Sequence, residues 1–447
     1  MRWAWLELLT GCLLAAASLT AQEAAGQAGS GPWNDVPMSD NLRVGISQAD
    51  ITPAIGVSLG GYTGRGLSAG VHDSLEVAVA VFDDGTSRAA LAALDVIMIE
   101  TRGQEIKEVV SRAGGMPPDH ILLNASHTHG SPWIRSEPAW FQDVLAAVGT
   151  ATEEAVADLK PASIGYGEGT IDFNVSRRFV QMSGEAVGFL NPHGKVDRRV
   201  KVLRIDQGDA VAPAGLLVHV VCHPNVFRGE NRHITADFFG VADTFIERNF
   251  DGATTGMLLQ GATGDVRAIM PPVDGAWRNG SEADMTWVGY TLGGEAVKIA
   301  TRLRVREFMR DRTSTFRITG GEEILYLDPD PAKVTDPTKT GLVGRDSLRD
   351  GKIVFPIRAL AIGDILFVAL PGEPVVEYGL GIEDDLSDLG MHVIVLGYAS
   401  GQNGYVPVEH MIDEGGYEAE GPYYYDSESA IRDGVKRLVH SILQDEG

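Results

Sequence analysis

Cysteine is nearly absent from this chain: only Cys12 and Cys222 occur in 447 residues. Cys12 falls in a segment expected to be lost or modified on export, which excludes an internal disulfide. The fold must then rest on its core and on any metal it holds. Cys222 closes the apolar run Leu216–Cys222 and reads as a buried structural thiol rather than a nucleophile. Positive charge is scarce too, with 37 Lys and Arg against 61 Asp and Glu and a formal net charge of −24. Such a surface repels phosphate backbones and anionic headgroups, so nucleic acid is excluded as a partner, as is tight electrostatic docking on a membrane. Transient membrane contact through apolar loops stays open. No fixed-period repeat occurs. The glycine-rich turn Gly261–Gly264 lacks the Gly-Lys-Ser/Thr continuation of a phosphate-binding loop.

The N-terminus carries the pattern of an export signal. Arg2 precedes an apolar run from Leu6 to Leu19, and small residues follow at Thr20-Ala21. The run is too short to anchor in a bilayer. Residues 1–21 are expected to be a signal peptide, which makes the protein secreted or periplasmic. Leu9-Thr10-Gly11-Cys12 also resembles a lipoprotein cleavage box, so anchoring through Cys12 is the alternative. Residues 22–40 are rich in Gly, Ala, Ser and Pro and read as a flexible leader.

From Leu42 the texture changes. Strands are expected at 42–46, 75–82, 89–96, 121–125, 216–221, 256–260, 365–370 and 392–396. Helices are expected at 101–112, 140–159, 239–248, 290–302 and 427–443. This alternation predicts an α/β protein: a single large layered domain over residues 41–447, with mixed β-sheets flanked by helices. Residues 305–352, dense in charge, Asp and Pro, read as a peripheral excursion with weaker strands.

Chemistry-bearing residues collect at strand exits. Ile121-Leu122-Leu123-Asn124-Ala125 runs into Ser126-His127-Thr128-His129 and stops at Gly130. In extended chain, residues two apart face one side, so His127 and His129 can share a pocket. Imidazole suits zinc, and hydrolytic zinc sites commonly use three protein ligands and a water. A second apolar run ends at Cys222-His223-Pro224, with His223 at the exit and His219 inside as a core histidine. Asp237, near a helix start, fits either an N-cap or an acceptor orienting a ligand histidine. The turn ending at Gly264-Asp265 reads as pocket floor. Leu370-Pro371-Gly372-Glu373 leaves a carboxylate just outside the core, where it needs a metal or an arginine. Asn403-Gly404-Tyr405 follows the strand at 392–396, and Tyr405 alone reads as a packed loop aromatic.

In this order these motifs resemble the neutral/alkaline non-lysosomal ceramidases, in particular their N-terminal catalytic domain. The likeness runs from Val44-Gly45-Ile46-Ser47-Gln48-Ala49-Asp50-Ile51-Thr52-Pro53 and Gly60-Gly61-Tyr62 through Val71-His72-Asp73 and Asn124–His129. It continues over His223-Pro224, Gly264-Asp265, Pro371-Gly372-Glu373 and Asn403-Gly404-Tyr405 to Tyr417-Glu418-Ala419. The resemblance implies a ceramidase-like fold and a Zn2+ held by His127, His223, Glu373 and Tyr405. His129 and Arg177 are implied as the catalytic pair acting on the substrate carbonyl. It further implies hydrolysis of an amide, possible substrates being ceramide or a related N-acyl lipid. At this length the C-terminal immunoglobulin-like domain of full-length ceramidases is expected to be missing. One departure stands out: the family's Gly-Asp-Val-Ser-Pro-Asn is Gly264-Asp265-Val266-Arg267-Ala268-Ile269 here. The substrate can therefore be a different amide or ester, with Arg267 selecting an anion. The remaining alternative is a binding protein on the same fold. The oligomeric state is not legible.

Overall fold

The computed structural model describes residues 41–208, 210–270, 278–303, 316–334, 347–399, 401 and 403–444. The expected signal peptide and leader lie outside the described residues.

Segments that read as continuous apolar runs are strands buried on both faces. In Glu76–Asp83, Val77, Val79 and Val81 pack among helices, whereas Ala78, Ala80 and Phe82 face a second sheet. Side chains alternate across a strand, so a strand covered on both sides needs apolar residues at every position. Arg88–Leu94 divides the same way, with Ala89, Leu91 and Ala93 on one face and Ala90, Ala92 and Leu94 on the other.

Two sheets result. The larger has eight strands in the spatial order 255–260, 215–220, 199–207, 160–170, 43–50, 76–83, 88–94 and 121–125. Its outermost pairs on each side are parallel and the inner pairings antiparallel. The smaller follows the order 318–327, 352–362, 365–369 and 392–396, with the last two parallel. The sheets face each other across one core, in which Phe82, Leu122, Leu217 and Leu259 meet Leu360, Ile365, Phe367 and Ile394. Helices Gly103–Gly114 and Pro138–Ala157 cover the outer face of the large sheet. Helices Val376–Asp385 and Ser427–Gln444 cover the small one. The protein is thus α/β with mixed sheets flanked by helices, in four layers.

Most boundaries match their sequence expectation within a few residues. The helix expected at 290–302 begins earlier, at Glu282, because Ser281 and Asp284 form a reciprocal capping box. The expected weak excursion is corrected within its described part: Ile318–Leu327 is a full ten-residue strand paired along 352–362. Its first half, Thr319-Gly320-Gly321-Glu322-Glu323, carries no large apolar residue, which hid the pattern. The strands at 160–170, 174–180, 186–191 and 199–207 were likewise masked, because glycine and polar residues interrupt their apolar positions, among them the buried Lys201, Arg204 and Asp206.

Candidate metal centre

The parallel pairings at both edges of the large sheet and in the small sheet deliver their C-terminal ends to one place. Asn124 and Gln260, both fully buried, stitch those ends together. Asn124 Nδ2 donates to the carbonyls of Gln260 (3.1 Å) and Gly397 (2.7 Å), and Gln260 N donates to Asn124 Oδ1 at 2.7 Å. Gln260 Nε2 then donates to the carbonyls of Ser126 and Cys222, each at 3.0 Å. Those carbonyls belong to the residues immediately before His127 and His223. One amide therefore fixes the backbone beneath both histidines.

His127, His129 and His223 converge, with one ring nitrogen of each within 4.8 Å of the others, an arrangement that can hold a metal. The route differs from the one expected. His127 is not in extended chain: its φ is +64°, a left-handed kink just past the strand. That kink, and not strand alternation, turns His127 and His129 toward each other at 5.0 Å between ring centroids. Non-glycine residues rarely sit there, and such strain collects at functional sites. Tyr398, itself at φ +51°, stacks on His127 at 4.3 Å.

The tautomers follow from geometry. Nδ1 of His127 lies 2.6 Å from the Ile97 carbonyl, and Nδ1 of His223 lies 2.7 Å from the Thr263 carbonyl and 3.0 Å from that of Val266. Carbonyls only accept, so both Nδ1 atoms carry the proton and each Nε2 presents a lone pair. These Nε2 atoms lie 3.2 and 3.3 Å from Glu373 Oε2, which also only accepts when ionised. Neither Nε2 makes a hydrogen bond, and both ring nitrogens of His129 are buried without a partner. Three lone pairs thus converge on one point.

Electrostatics sharpen the point. Charged imidazoles at His127 and His223 would hold the Glu373 carboxyl well below its ordinary value against the cost of burial. Yet burial, reinforced by Arg177, keeps His223 neutral down to about pH 4. Burial likewise drives His129 well below its usual range. A buried carboxylate such as Glu373 calls for a positive charge beside it. A divalent cation among imidazole and carboxylate donors would satisfy all of these atoms at once.

The other anticipated residues lie alongside. Glu373–Pro374 pairs in parallel with Tyr405–Val406, which places Tyr405 directly opposite Glu373. Burial pushes the Tyr405 phenol well above its ordinary value. Arg177 lies 5.2 Å over its ring, donates from Nε to Glu418 Oε1 at 2.9 Å and from Nη2 to the Gly264 carbonyl at 2.6 Å. Gly264 packs tightly on the backbone of Glu373, since a Cβ there would stand 2.6 Å from the Glu373 carbonyl oxygen. His219 is a core histidine, with Nε2 3.0 Å from the Val395 carbonyl. Cys222 is buried and free, its thiol pushed well above the usual range by burial. Asp237 resolves to the capping role: its oxygens accept from the amides of Phe238 and Val226 and not from a histidine. Sequence reasoning missed Tyr398 and Gln260; a polar side chain closing an apolar strand was the only trace of Gln260.

Comparison with known proteins gives the family and the fold. The family model described as neutral/alkaline non-lysosomal ceramidase, N-terminal, matches residues 42–286, which include His127, His129, Arg177 and His223. A neutral ceramidase of Mycobacterium tuberculosis is 27% identical over 238 residues, 47% of this chain and 37% of that protein. The match thus spans little more than a third of that relative's length. A crystal structure of neutral ceramidase from Pseudomonas aeruginosa superposes with a TM-score of 0.69 at 18% identity, covering 90% of this chain and 74% of the other. A ceramidase complexed with C2 superposes equally well, with a TM-score of 0.69 at 18% identity over 88% of this chain and 74% of that one. These structures share the fold over about nine tenths of this chain. By the match over more than half of its length, the chain belongs to the neutral/alkaline non-lysosomal ceramidase family.

Proposed function

We propose that this protein is a secreted or periplasmic metal-dependent hydrolase of an amide bond, with zinc as the ion and an N-acyl lipid such as ceramide as the substrate class. The observation that carries the reading is the convergence of His127 Nε2, His223 Nε2 and Glu373 Oε2, all acceptors and all buried. His127, His223 and Glu373 would hold the ion, with Tyr405 opposite Glu373 as the fourth donor. Bound there, it would lower the pKa of a water and polarise the amide carbonyl.

The remaining steps belong to side chains. His129, kept neutral by burial, presents two unpartnered ring nitrogens beside the cluster and can accept a proton or hold the carbonyl oxygen. Arg177 keeps its charge in a fixed orientation through Glu418 and the Gly264 carbonyl, and a preorganised cation of this kind stabilises a developing oxyanion. In this reading residues 1–21 direct export and 41–447 form the catalytic domain.

The test is metal content and turnover of the purified chain and of His127→Ala, with a fluorogenic N-acyl sphingosine. About one zinc per wild-type chain, lost in the variant, with cleavage abolished by a chelator, is the expected result. A chain that takes up no divalent metal after incubation with it would overturn the reading.

A further inference from the structure

One hairpin carries its apolar side chains outward. Asn174–Val180 and Ala186–Asn191 pair as antiparallel strands, and the third strand of their sheet, Val266–Ala268, reaches only to Ser176. Among the described residues the hairpin is therefore two-stranded from Arg178 to Gly188. A hairpin with one face on the protein and one in water turns its apolar residues in and its polar residues out. Here the order is reversed. Arg178 is 5% exposed and held by Glu414, Glu418 and the Met411 carbonyl. Phe179 stands opposite Val187, and Phe189 follows on the same face, 6.2 Å from Phe179 between ring centroids. The two phenylalanines are 41% and 45% exposed, Val180 is as open as Phe179, and Met182 at the turn is fully exposed.

The root of this hairpin adjoins the metal centre. Arg177, the residue before the inward Arg178, lies 5.2 Å from the Tyr405 ring and 5.6 Å from that of Tyr417. Tyr417 stands 5.0 Å from Tyr405 between ring centroids and is largely exposed, so it leads from the buried centre to solvent. Its neighbour Gly416 packs on the hairpin, since a Cβ there would stand 3.0 Å from the Ala186 Cβ. The outward apolar face thus begins beside the point where the centre's side chains reach the surface.

What covers that face follows from its charge and size. Of residues 179–190 Glu185 alone is charged, in a chain of net charge −24. A partner recognised by charge finds little to pair with there, and an anionic membrane is repelled by the rest of the surface. The four exposed side chains offer on the order of 400 Å² of apolar surface, half of the roughly 800 Å² that each partner gives to a stable dimer. A zwitterionic lipid surface requires neither charge nor a complementary shape, and it accepts apolar side chains to a depth of about 5–10 Å.

We propose that the tip of this hairpin, through Phe179, Val180, Met182 and Phe189, seats the protein on a zwitterionic lipid surface and holds the metal centre beside it. The lipid binding stands on the hairpin alone. Its use, delivery of an N-acyl lipid from that surface to His127 and His223, rests on the amide-hydrolysis reading.

The experiment sediments the wild-type chain, the double variant Phe179→Ser/Phe189→Ser and Tyr290→Ser with vesicles of phosphatidylcholine, and with the same vesicles containing phosphatidylglycerol. Tyr290, exposed on the helix Glu282–Arg302, is the control. The wild type should partition onto the phosphatidylcholine vesicles. The double variant should bind them about 10- to 100-fold more weakly, the effect of two phenylalanines withdrawn from lipid, and Tyr290→Ser should match the wild type. If the double variant does not fold, Met182→Ser, at the fully exposed turn, carries the test with a loss of about threefold. No partitioning of the wild type, equal partitioning of wild type and double variant, or the same loss in Tyr290→Ser overturns the inference. So does binding to the anionic vesicles alone. A wild-type dimer in sedimentation equilibrium that the double variant dissolves makes the face an interface between copies and overturns it too.

Turnover separates this inference from the reading beneath it. The zinc-loaded double variant should cleave vesicle-borne N-acyl sphingosine about tenfold more slowly than wild type, and a water-soluble short-chain N-acyl amide at the wild-type rate. An equal loss on both substrates overturns the docking role, because the hairpin then shapes the site itself. Vesicle binding through the hairpin with no cleavage of either amide overturns the hydrolysis and keeps the lipid surface.

Discussion

Tyr398 stacks on His127 at 4.3 Å and 28° between ring planes, and both residues hold positive φ, +51° and +64°. Its hydroxyl lies 3.4 Å from Glu373 Oε2. One aromatic side chain thus braces a histidine by its face and a carboxylate by its edge. Tyr398→Ala should weaken metal affinity about 10- to 100-fold, as loss of a group supporting a ligand does, and lower Tm by several degrees through the cavity it leaves. Tyr398→Phe keeps the stacking and should stay within about threefold of wild type in metal titration. Equal metal affinity in Tyr398→Ala and wild type would show that the stacking does not organise the centre.

Gln260 supports both histidines from below. Gln260→Leu leaves the carbonyls of Ser126 and Cys222 buried without donors, each costing about 1–3 kcal/mol. Chemical denaturation should show a loss of roughly 2–5 kcal/mol, and metal titration an affinity lower by about tenfold or more. Because the amide touches neither substrate nor metal, KM for a slow amide substrate should change less than metal affinity. A variant as unstable as this but with unchanged metal affinity would reduce Gln260 to a core hydrogen bond.

How much of this was legible follows from which forces leave a local trace. The strand 76–83 was plain, because burial on both faces writes an apolar residue at nearly every position. The histidines were plain by residue type, because His127 and His129 close an apolar strand. Tyr398 was not, because Gly397-Tyr398-Ala399 reads like any core aromatic beside a turn. The convergence of Glu373 on His127 and His223 depends on two sheets packed face to face, a long-range relationship with no periodicity. It entered through the resemblance of the whole motif set. The kink at His127 left no trace either, since only a few per cent of non-glycine residues adopt positive φ and nothing local marks this one.

Acidic groups away from the metal centre set a pH dependence of stability. Glu76, Asp95 and Asp243 line one cavity between the large sheet and the helix Phe238–Asn249. Burial, and then Glu247, Asp50 and Asp73, raise Glu76 to about 7. Burial raises Asp95 to about 7, and Asp243 is driven well above the carboxylate range by burial and its acidic neighbours. The folded pKa values exceed the unfolded ones, so the folded state binds more protons in the interval between them. Stability is then fully present below about pH 4 as far as these groups are concerned, and is lost as pH rises toward 7. Asp95→Asn, whose side-chain oxygen can still accept from the Glu76 amide as Asp95 does at 3.2 Å, removes the ionisation. It should raise Tm by a few degrees at pH 8 and by little at pH 5. The same gain at both pH values would mean that the effect is not protonic.

Glu373 gives the sharpest test of the metal, because one substitution should act with opposite signs in two states. Without metal, its carboxylate faces two imidazole lone pairs at 3.2 and 3.3 Å with no compensating charge. Glu373→Gln places an amide there that can donate to both nitrogens, so the metal-free variant should be more stable than metal-free wild type by about 1–3 kcal/mol. With metal the order reverses. A tightly bound ion stabilises the wild type by about 4 kcal/mol at a thousandfold excess over its dissociation constant. The amide is a poor ligand and should forfeit most of that. Thermal melts of both proteins, with zinc and with a chelator, should therefore cross: wild type higher with zinc, variant higher without. If the chelator leaves wild-type Tm unchanged and Glu373→Gln lowers Tm in both conditions, the carboxylate is a structural hydrogen-bonding group and no cation belongs between these three residues.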